Sequence, residues 1–401
     1  DALAQLSEAT APPMKTIKVG SGDNEFTLGG ETVLFRHEKT FVSKTRYAVS
    51  LCTCMDDAAI DAKLAAIPKV DYERISERMF VEMIYVNYED GADKDRYVEI
   101  VKKAAALGRT LVLGCKDAEA AKAALAVCKD GKPVLNGADA SNYAEMSAVA
   151  TEAGVVLGIT GADLNELYDT VAALEKAGNK NLILDVGTKS VKEAYGNAVQ
   201  IRRAALKDQD RTFGYPTLVN LAVLAHGDRN MQQALASLFT MKYGSIVVME
   251  QLDYAEALPL FGLRQNVYTD PQKPMKVEPG IYALNGADEN SLCLTTVDFA
   301  LTYFVVSGEL ERSGVPCNLI ISDAGGLSVL TAWAAGKLSS TSVSKYIQEN
   351  VEDKVKCRKL IIPGKVAVLK GDIEAKLPGW EVIVAPLEAV QLVKFLKDMT
   401  A

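Results

Sequence analysis

From about residue 45 the chain alternates short apolar runs with longer stretches whose apolar positions recur every three to four residues. The runs read YAVSLCT (47–53), MIYVNY (83–88), TLVLGC (110–115), PVLNG (133–137), VVLGIT (155–160), NLILDVG (181–187), PTLVNL (216–221) and SIVVME (245–250). Runs this short, apolar at nearly every position, are the mark of parallel strands covered on both faces. The stretches between them, such as KDRYVEIVKKAAALG and DLNELYDTVAALEKAG, carry the helical period, and Gly108, Gly154 and Gly178 close helices. Eight strand–helix repeats over residues 45–265 predict a (β/α)8 TIM barrel.

The flanks follow other rhythms. Residues 14–37 alternate as MKTIKVG, EFTLGG and TVLFRHE around glycine turns, which predicts a small antiparallel β element completing a 1–44 segment. The first residues, DALAQLSEATAPP, read as a helix end and a linker, and the chain opens at Asp1 without a methionine. A preceding segment is therefore expected. Residues 266–290 hold three prolines among turn formers and read as a second linker. Beyond it the strand–helix rhythm restarts with SLCLTTV, NLIISDAGG, KLIIPG and EVIVAP. Four such strands predict a small, open, doubly wound (Rossmann-like) α/β domain over 291–401.

Length and composition agree with this division: 401 residues exceed one ordinary core, and 49% hydrophobic with 24% charged is a globular mixture. A net charge of −8 argues against nucleic acid and acidic membrane surfaces as partners. No apolar run reaches the ~18 residues a membrane span requires. No signal peptide is apparent, so a cytoplasmic location is expected. The seven cysteines fit reduced thiols. Cys52 and Cys54 are the one close pair; their spacing matches no common metal-ligand pattern, and they read as small core residues.

Candidate chemistry falls at strand ends. In the barrel these carry Thr53, Asn87, Asn136 with Asp139, Thr160, Asp185, Asn220 and Glu250, on the face where barrel enzymes place their sites. Asn136, Asp139 and Asp185 could hydrogen-bond a heterocycle such as a pterin, or the whole set could cap helices. His37 and His226, the two histidines, read as surface or capping residues. No GxGxxG, GxxxxGK[ST] or GxSxG stands in a strand–turn–helix context, which removes the usual support for nicotinamide, nucleoside triphosphate and hydrolase chemistry. In the C-terminal domain the strand ends gather Thr295-Thr296, the paired glycines Gly325-Gly326 within Asp323–Ser328, Pro363-Gly364 and Ala385–Ala389. A rim this small and hydroxylic suits a large, flat ligand fringed with amides.

The stretches ETVLFRHEKTF (31–41), TFGYPTLVN (212–220), SDAGGLSVLTAWAAGK (322–337) and LIIPGKVAVLKG (360–371) resemble the large (gamma) subunit of the corrinoid iron–sulfur protein of acetyl-CoA decarbonylase/synthase systems. The resemblance covers essentially the whole chain. It implies a corrinoid-binding C-terminal domain and a methyl carrier of the reductive acetyl-CoA pathway. As Co(I), the family's cobalt accepts a methyl group from a methyltetrahydropterin through a methyltransferase; as methyl-Co(III), it passes that group to acetyl-CoA synthase. It also implies a heterodimer with a smaller barrel subunit and a reductive activator. Corrinoid contacts carry over to Thr296, Thr302, Gly326, Leu327, Ser328, Val329 and Ala389, with Gly325 in the same turn; Thr331 is added as a residue facing the cobalt. Many corrinoid proteins ligate cobalt with a histidine from a DxHxxG turn, and this domain has no histidine, so a base-off corrinoid is expected. The family's four-iron four-sulfur cluster needs closely spaced cysteines absent from this chain, which places it on a segment before Asp1 or makes the chain a cluster-free variant. A competing reading gives the barrel itself the methylpterin and the methyl transfer.

Overall fold

The apolar runs become a closed barrel of eight parallel strands: β3 (Arg46–Cys52), β6 (Met83–Asn87), β7 (Thr110–Gly114), β8 (Val134–Ala138), β9 (Val156–Ile159), β10 (Leu182–Asp185), β11 (Thr217–Asn220) and β12 (Ile246–Met249). The structure is a computed structural model that describes residues 11–75, 77–270 and 275–400. The helix end read over residues 1–10 lies outside them. The order runs β3-β6-β7-β8-β9-β10-β11-β12, and β12 pairs with β3 to close the ring. Seven helices of this unit start at an Asp or Ser (Asp56, Asp93, Asp117, Asp163, Ser190, Asp228 and Asp253) whose side chain accepts a backbone N–H of the first turn. Most of the polar character of the strand-to-helix loops is consumed this way.

The N-terminal element is smaller than expected. β1 (Thr16–Val19) and β2 (Phe26–Gly29) pair antiparallel, but TVLFRHE forms turns, with Glu38 N–H bonded to the Phe35 carbonyl. Glu31 explains this: its buried carboxyl accepts the N–H groups of Val42 and Ser43, folding the segment back on itself. A hairpin missed in the sequence, β4 (Asp71–Arg74) and β5 (Glu77–Phe80), follows the first barrel helix.

The chain divides into two compact units, Asp1–Tyr72 with Arg78–Thr269, and Glu73–Glu77 with Asp270–Ala401. Of the segment read as a linker over 266–290, residues 271–274 lie outside the described residues, and parts of the rest are regular. The last barrel helix runs through Val267, and β13 (Gly280–Leu284) is an antiparallel edge strand along β15 (Cys317–Ser322). The four expected strands, β14 (Leu292–Val297), β15, β16 (Lys359–Ile362) and β17 (Glu381–Val384), are mutually parallel, giving the sheet order β13-β15-β14-β16-β17. Helices cover both faces. Ile320, Leu360, Ile362 and Val382 pack into one core, and Leu319, Ile321 and Ile361 into the other. Leu360, Ile361 and Ile362 are all buried because a central strand has no solvent face, which is why KLII reads as a continuous apolar run.

Candidate functional site

β14 and β16 are neighbours, and the connection leaving β14 runs to β15 on one side while that leaving β16 runs to β17 on the other, which opens a crevice at the carboxyl ends of the strands. A cavity of about 360 Å³ occupies that position. Its wall is drawn from all four strand ends, among them Thr296, Ser328, Gly364 and Ala389. Thr296, at the end of β14, lines the cavity, and its Oγ1 is buried with no hydrogen-bond partner. At Gly364 an added Cβ would lie 2.3 Å from the Ala385 carbonyl oxygen and 2.6 Å from that of Pro386. Only glycine lets the ends of β16 and β17 approach this closely. Leu301, Val305, Leu330 and Leu387 line the cavity with their side chains largely exposed, Leu387 at 64%. Exposed aliphatic side chains gathered around one cavity mark a surface that something covers.

The glycine turn after β15 is built by Asp298. Its wholly buried carboxyl accepts the N–H of Ala324 at 2.9 Å and the N–H of Gly326 through both oxygens at 3.0 Å. Gly325 and Gly326 stand in succession at φ +71° and +73°, a left-handed path that turns their N–H groups inward. Asp323 accepts the Gly325 N–H, which holds its carboxyl below the usual range. Sequence reasoning missed Asp298. It stands just before the helix Ala300–Ser313, whose N-cap Phe299 makes no side-chain cap, and it ties down the neighbouring turn.

Of the nine residues singled out in the sequence, Thr296, Thr302, Ser328, Val329 and Ala389 line the cavity. Gly325, Gly326, Leu327 and Thr331 do not line it. Gly326 and Leu327 lie behind it in the turn, and Thr331 bonds to Ser328 across the first turn of the next helix. The apolar rim escaped the sequence reading because exposure of an aliphatic side chain, on a helix as at Leu301 and Leu330 or in a loop as at Leu387, is decided by packing.

In the barrel unit three of the strand-end candidates converge. Asn136 donates to Asp185 at 2.9 Å, and the Tyr85 hydroxyl hydrogen-bonds with Asn136 and Asn220. The cluster fits because β7 and β9 carry glycine beside it: a Cβ at Gly114 would meet the Tyr85 hydroxyl at 2.2 Å, and one at Gly158 the Asn136 Oδ1 at 2.1 Å. Burial raises the pKa of both Asp185 and Tyr85. Asn136 Oδ1 and Asn220 Oδ1 are buried without partners. Three others make local bonds. Asp139 accepts from Ser141, Thr53 accepts the Glu89 N–H, and the backbone of Glu250 bonds Gln232 and Lys63.

His37 stacks on Phe35, and both it and His226 are exposed. Cys115, Cys128, Cys293 and Cys317 are buried free thiols, pushed up to about 12 by burial. Cys52 and Cys54 correct the expectation of small core residues: Cys54 is exposed, Cys52 half-buried, and a disulfide joins them. Among the described residues no helix is long and apolar enough to cross a membrane.

The family described as CO dehydrogenase/acetyl-CoA synthase delta subunit matches residues 16–396. The corrinoid/iron-sulfur protein large subunit of Moorella thermoacetica is 37% identical over 98% of this chain and 87% of its own. The acetyl-CoA decarbonylase/synthase complex subunit gamma of Methanopyrus kandleri is 33% identical over 99% and 88%, and that of Archaeoglobus fulgidus 32% over 98% and 86%. Among solved structures, dihydropteroate synthase of Thermus thermophilus is 17% identical with a TM-score of 0.45, covering 63% of this chain and all of that one. Matched over nearly its whole length, the chain belongs to the family of the corrinoid/iron-sulfur protein large subunit and the gamma subunit of the acetyl-CoA decarbonylase/synthase complex.

Proposed function

We propose that the C-terminal unit holds a cobalt corrinoid at the cavity beyond β14–β17 and that the chain serves as a methyl carrier in acetyl-CoA synthesis. The observation that carries this reading is the cavity itself, which combines a buried, unpaired Thr296 hydroxyl with a collar of exposed aliphatic side chains. Those features suit a broad ligand with an apolar body and a polar fringe. Thr296, Thr302 and Ser328 supply hydroxyls to that fringe, Gly364 lets the ends of β16 and β17 close together at the wall, and Leu301, Leu330 and Leu387 exclude water from the covered face. The Asp298-held turn fixes Ser328 and Val329 at the cavity wall. A corrinoid bound there supplies a cobalt centre able to take up and release a methyl group. The histidines of the chain are at 37 and 226, so no residue of 270–401 offers an imidazole to the metal. We infer that a corrinoid held here would be base-off, a state in which the reduced metal would be favoured.

Under this reading the partners are a smaller barrel subunit, a methyltetrahydrofolate-type methyltransferase, acetyl-CoA synthase and a reductive activator. The names of the relatives support the assignment to that system. Titration of the purified chain with cobinamide and cobalamin, followed by visible absorption, tests corrinoid binding. Electron paramagnetic resonance of the Co(II) form tests base-off ligation, and nitrogen hyperfine splitting from the protein would sink it. The iron content of the native protein tests the four-iron four-sulfur cluster.

A second reading has the barrel binding methylpterin and carrying out the transfer. The unpaired Asn136 and Asn220 oxygens beside Asp185 favour it. Calorimetry of methyltetrahydrofolate with this chain alone decides between them: the carrier reading expects no heat of binding.

A further inference from the structure

The carboxyl end of β3 carries a second arrangement of ligand-type side chains. Cys52 ends the strand, Cys54 follows two residues later in the turn, and Glu89 arrives from the loop after β6, the neighbouring strand. One donor atom from each lies within 4.8 Å of the others, and Glu89 Oε2 is 3.8 Å from Cys52 Sγ. Sulfur and carboxylate ligands of a tetrahedral ion at bond lengths of ~2.1–2.3 Å stand about 3.6–3.8 Å apart, so the carboxylate already has the right separation from the Cys52 sulfur. Residue spacing along the chain gave no such signal, because the third donor comes from another strand.

The turn is held by bonds that do not depend on the sulfurs. Thr53 N–H donates to the Asn87 carbonyl at 3.1 Å, and Thr53 Oγ1 accepts the Glu89 N–H at 2.9 Å. Met55 N–H closes the turn on the Cys52 carbonyl at 3.1 Å. From the helix Lys94–Ala105, Arg96 donates to the carbonyls of Thr53 at 3.3 Å and Met55 at 2.5 Å. None of these bonds uses a sulfur atom, so opening the disulfide leaves each of them its donor and acceptor. The four buried cysteines differ in kind: burial raises their thiol pKa values to about 12 and removes them from reagents, whereas Cys54 and Glu89 face solvent.

We propose that Cys52, Cys54 and Glu89 form a redox-gated site for a thiophilic divalent cation of the zinc or cadmium class. In the oxidised state the Cys52–Cys54 bond occupies both sulfur donors and no ion binds. A dithiol reductant opens it by exchange: the S–S bond breaks, the reductant leaves as its cyclic disulfide, and its two electrons and two protons remain as two thiols. The cation then displaces both thiol protons and binds two thiolates and the Glu89 carboxylate, with solvent completing the shell. The negative charge of Glu89 beside the sulfurs favours a cation there over two bare thiolates.

The test uses the full chain. It is reduced with dithiothreitol, desalted without oxygen and titrated with Cd2+, with thiolate-to-cadmium absorption as the readout. Reduced wild type is expected to take up one cadmium with that absorption. Protein re-oxidised with the cyclic disulfide of dithiothreitol should show none, and Cys52→Ser and Cys54→Ser should both lose it. Cys357→Ser should keep it, and Glu89→Gln should keep it with weaker affinity. Far-UV circular dichroism checks that the exposed turn tolerates each change. Absence of the band in reduced wild type, its survival in both serine variants, or unchanged affinity in Glu89→Gln overturns the proposal. Alkylation and peptide mapping before and after reduction give an independent reading: Cys52 and Cys54 should become reactive together.

Discussion

Replacing Asp298 with alanine should loosen the C-terminal unit through one turn. The carboxyl receives the buried N–H groups of Ala324 and Gly326, and the alanine methyl can accept neither. Each buried donor left without a partner costs roughly 1–3 kcal/mol, and the turn has two, so about 3 kcal/mol of stability should be lost. The chain's two tryptophans, Trp333 and Trp380, both belong to this unit, so fluorescence excited selectively at tryptophan follows its unfolding in urea without tyrosine signal from the barrel. With a slope near 2 kcal/mol per molar urea, 3 kcal/mol moves the midpoint down by about 1.5 M. Asp298→Asn should fall between, because its amide oxygen still serves one of the two donors. A shift under about 0.3 M in Asp298→Ala, roughly 0.6 kcal/mol, would refute the view that this carboxyl holds the turn. Corrinoid titration of the same variant should show weakened binding, since Ser328 and Val329 follow the turn to the cavity wall.

Thr296→Val removes a buried hydroxyl with no partner, so the unliganded unit should gain about 1 kcal/mol in the same urea assay while corrinoid binding weakens. Gly364→Ala drives a Cβ against the backbone of Ala385 and Pro386; destabilisation of about 1–3 kcal/mol and loss of corrinoid absorption are expected. Asp185 has a folded-state pKa raised by burial above the ordinary 3.8. It binds its proton more tightly when folded, so its contribution is full below that value and is lost as pH rises through the raised one. Asp185→Asn should therefore flatten the fall in barrel stability over that interval and leave the variant more stable at neutral pH, read by thermal unfolding in far-UV circular dichroism.

Much of the architecture was legible from residue order. All eight barrel strands lie where the apolar runs place them, because a strand buried on both faces must be apolar throughout and its helix must carry a stripe. The four parallel strands of the C-terminal sheet were legible for the same reason. The edge strand β13 was hidden, since GIYAL stands among prolines and turn formers and is half-exposed, without the pattern a buried strand imposes. TVLFRHE failed in the opposite direction: it looks like a strand, but the buried Glu31 takes up the N–H groups that follow and folds it into turns.

For the site, the sequence by itself determined which small residues end the strands and that no histidine is available to 270–401, because both follow from local pattern and composition. Tertiary structure alone decided what those strand ends meet. Asp298 reaches across to the turn after a different strand, the Thr296 hydroxyl is left buried and unpaired, and exposed leucines ring an open cavity. Glu89 joins Cys52 and Cys54 only because β3 and β6 are neighbours in the barrel. Periodicity along a chain records which face of an element is buried; it carries no record of which distant element will cover that face or share its hydrogen bonds.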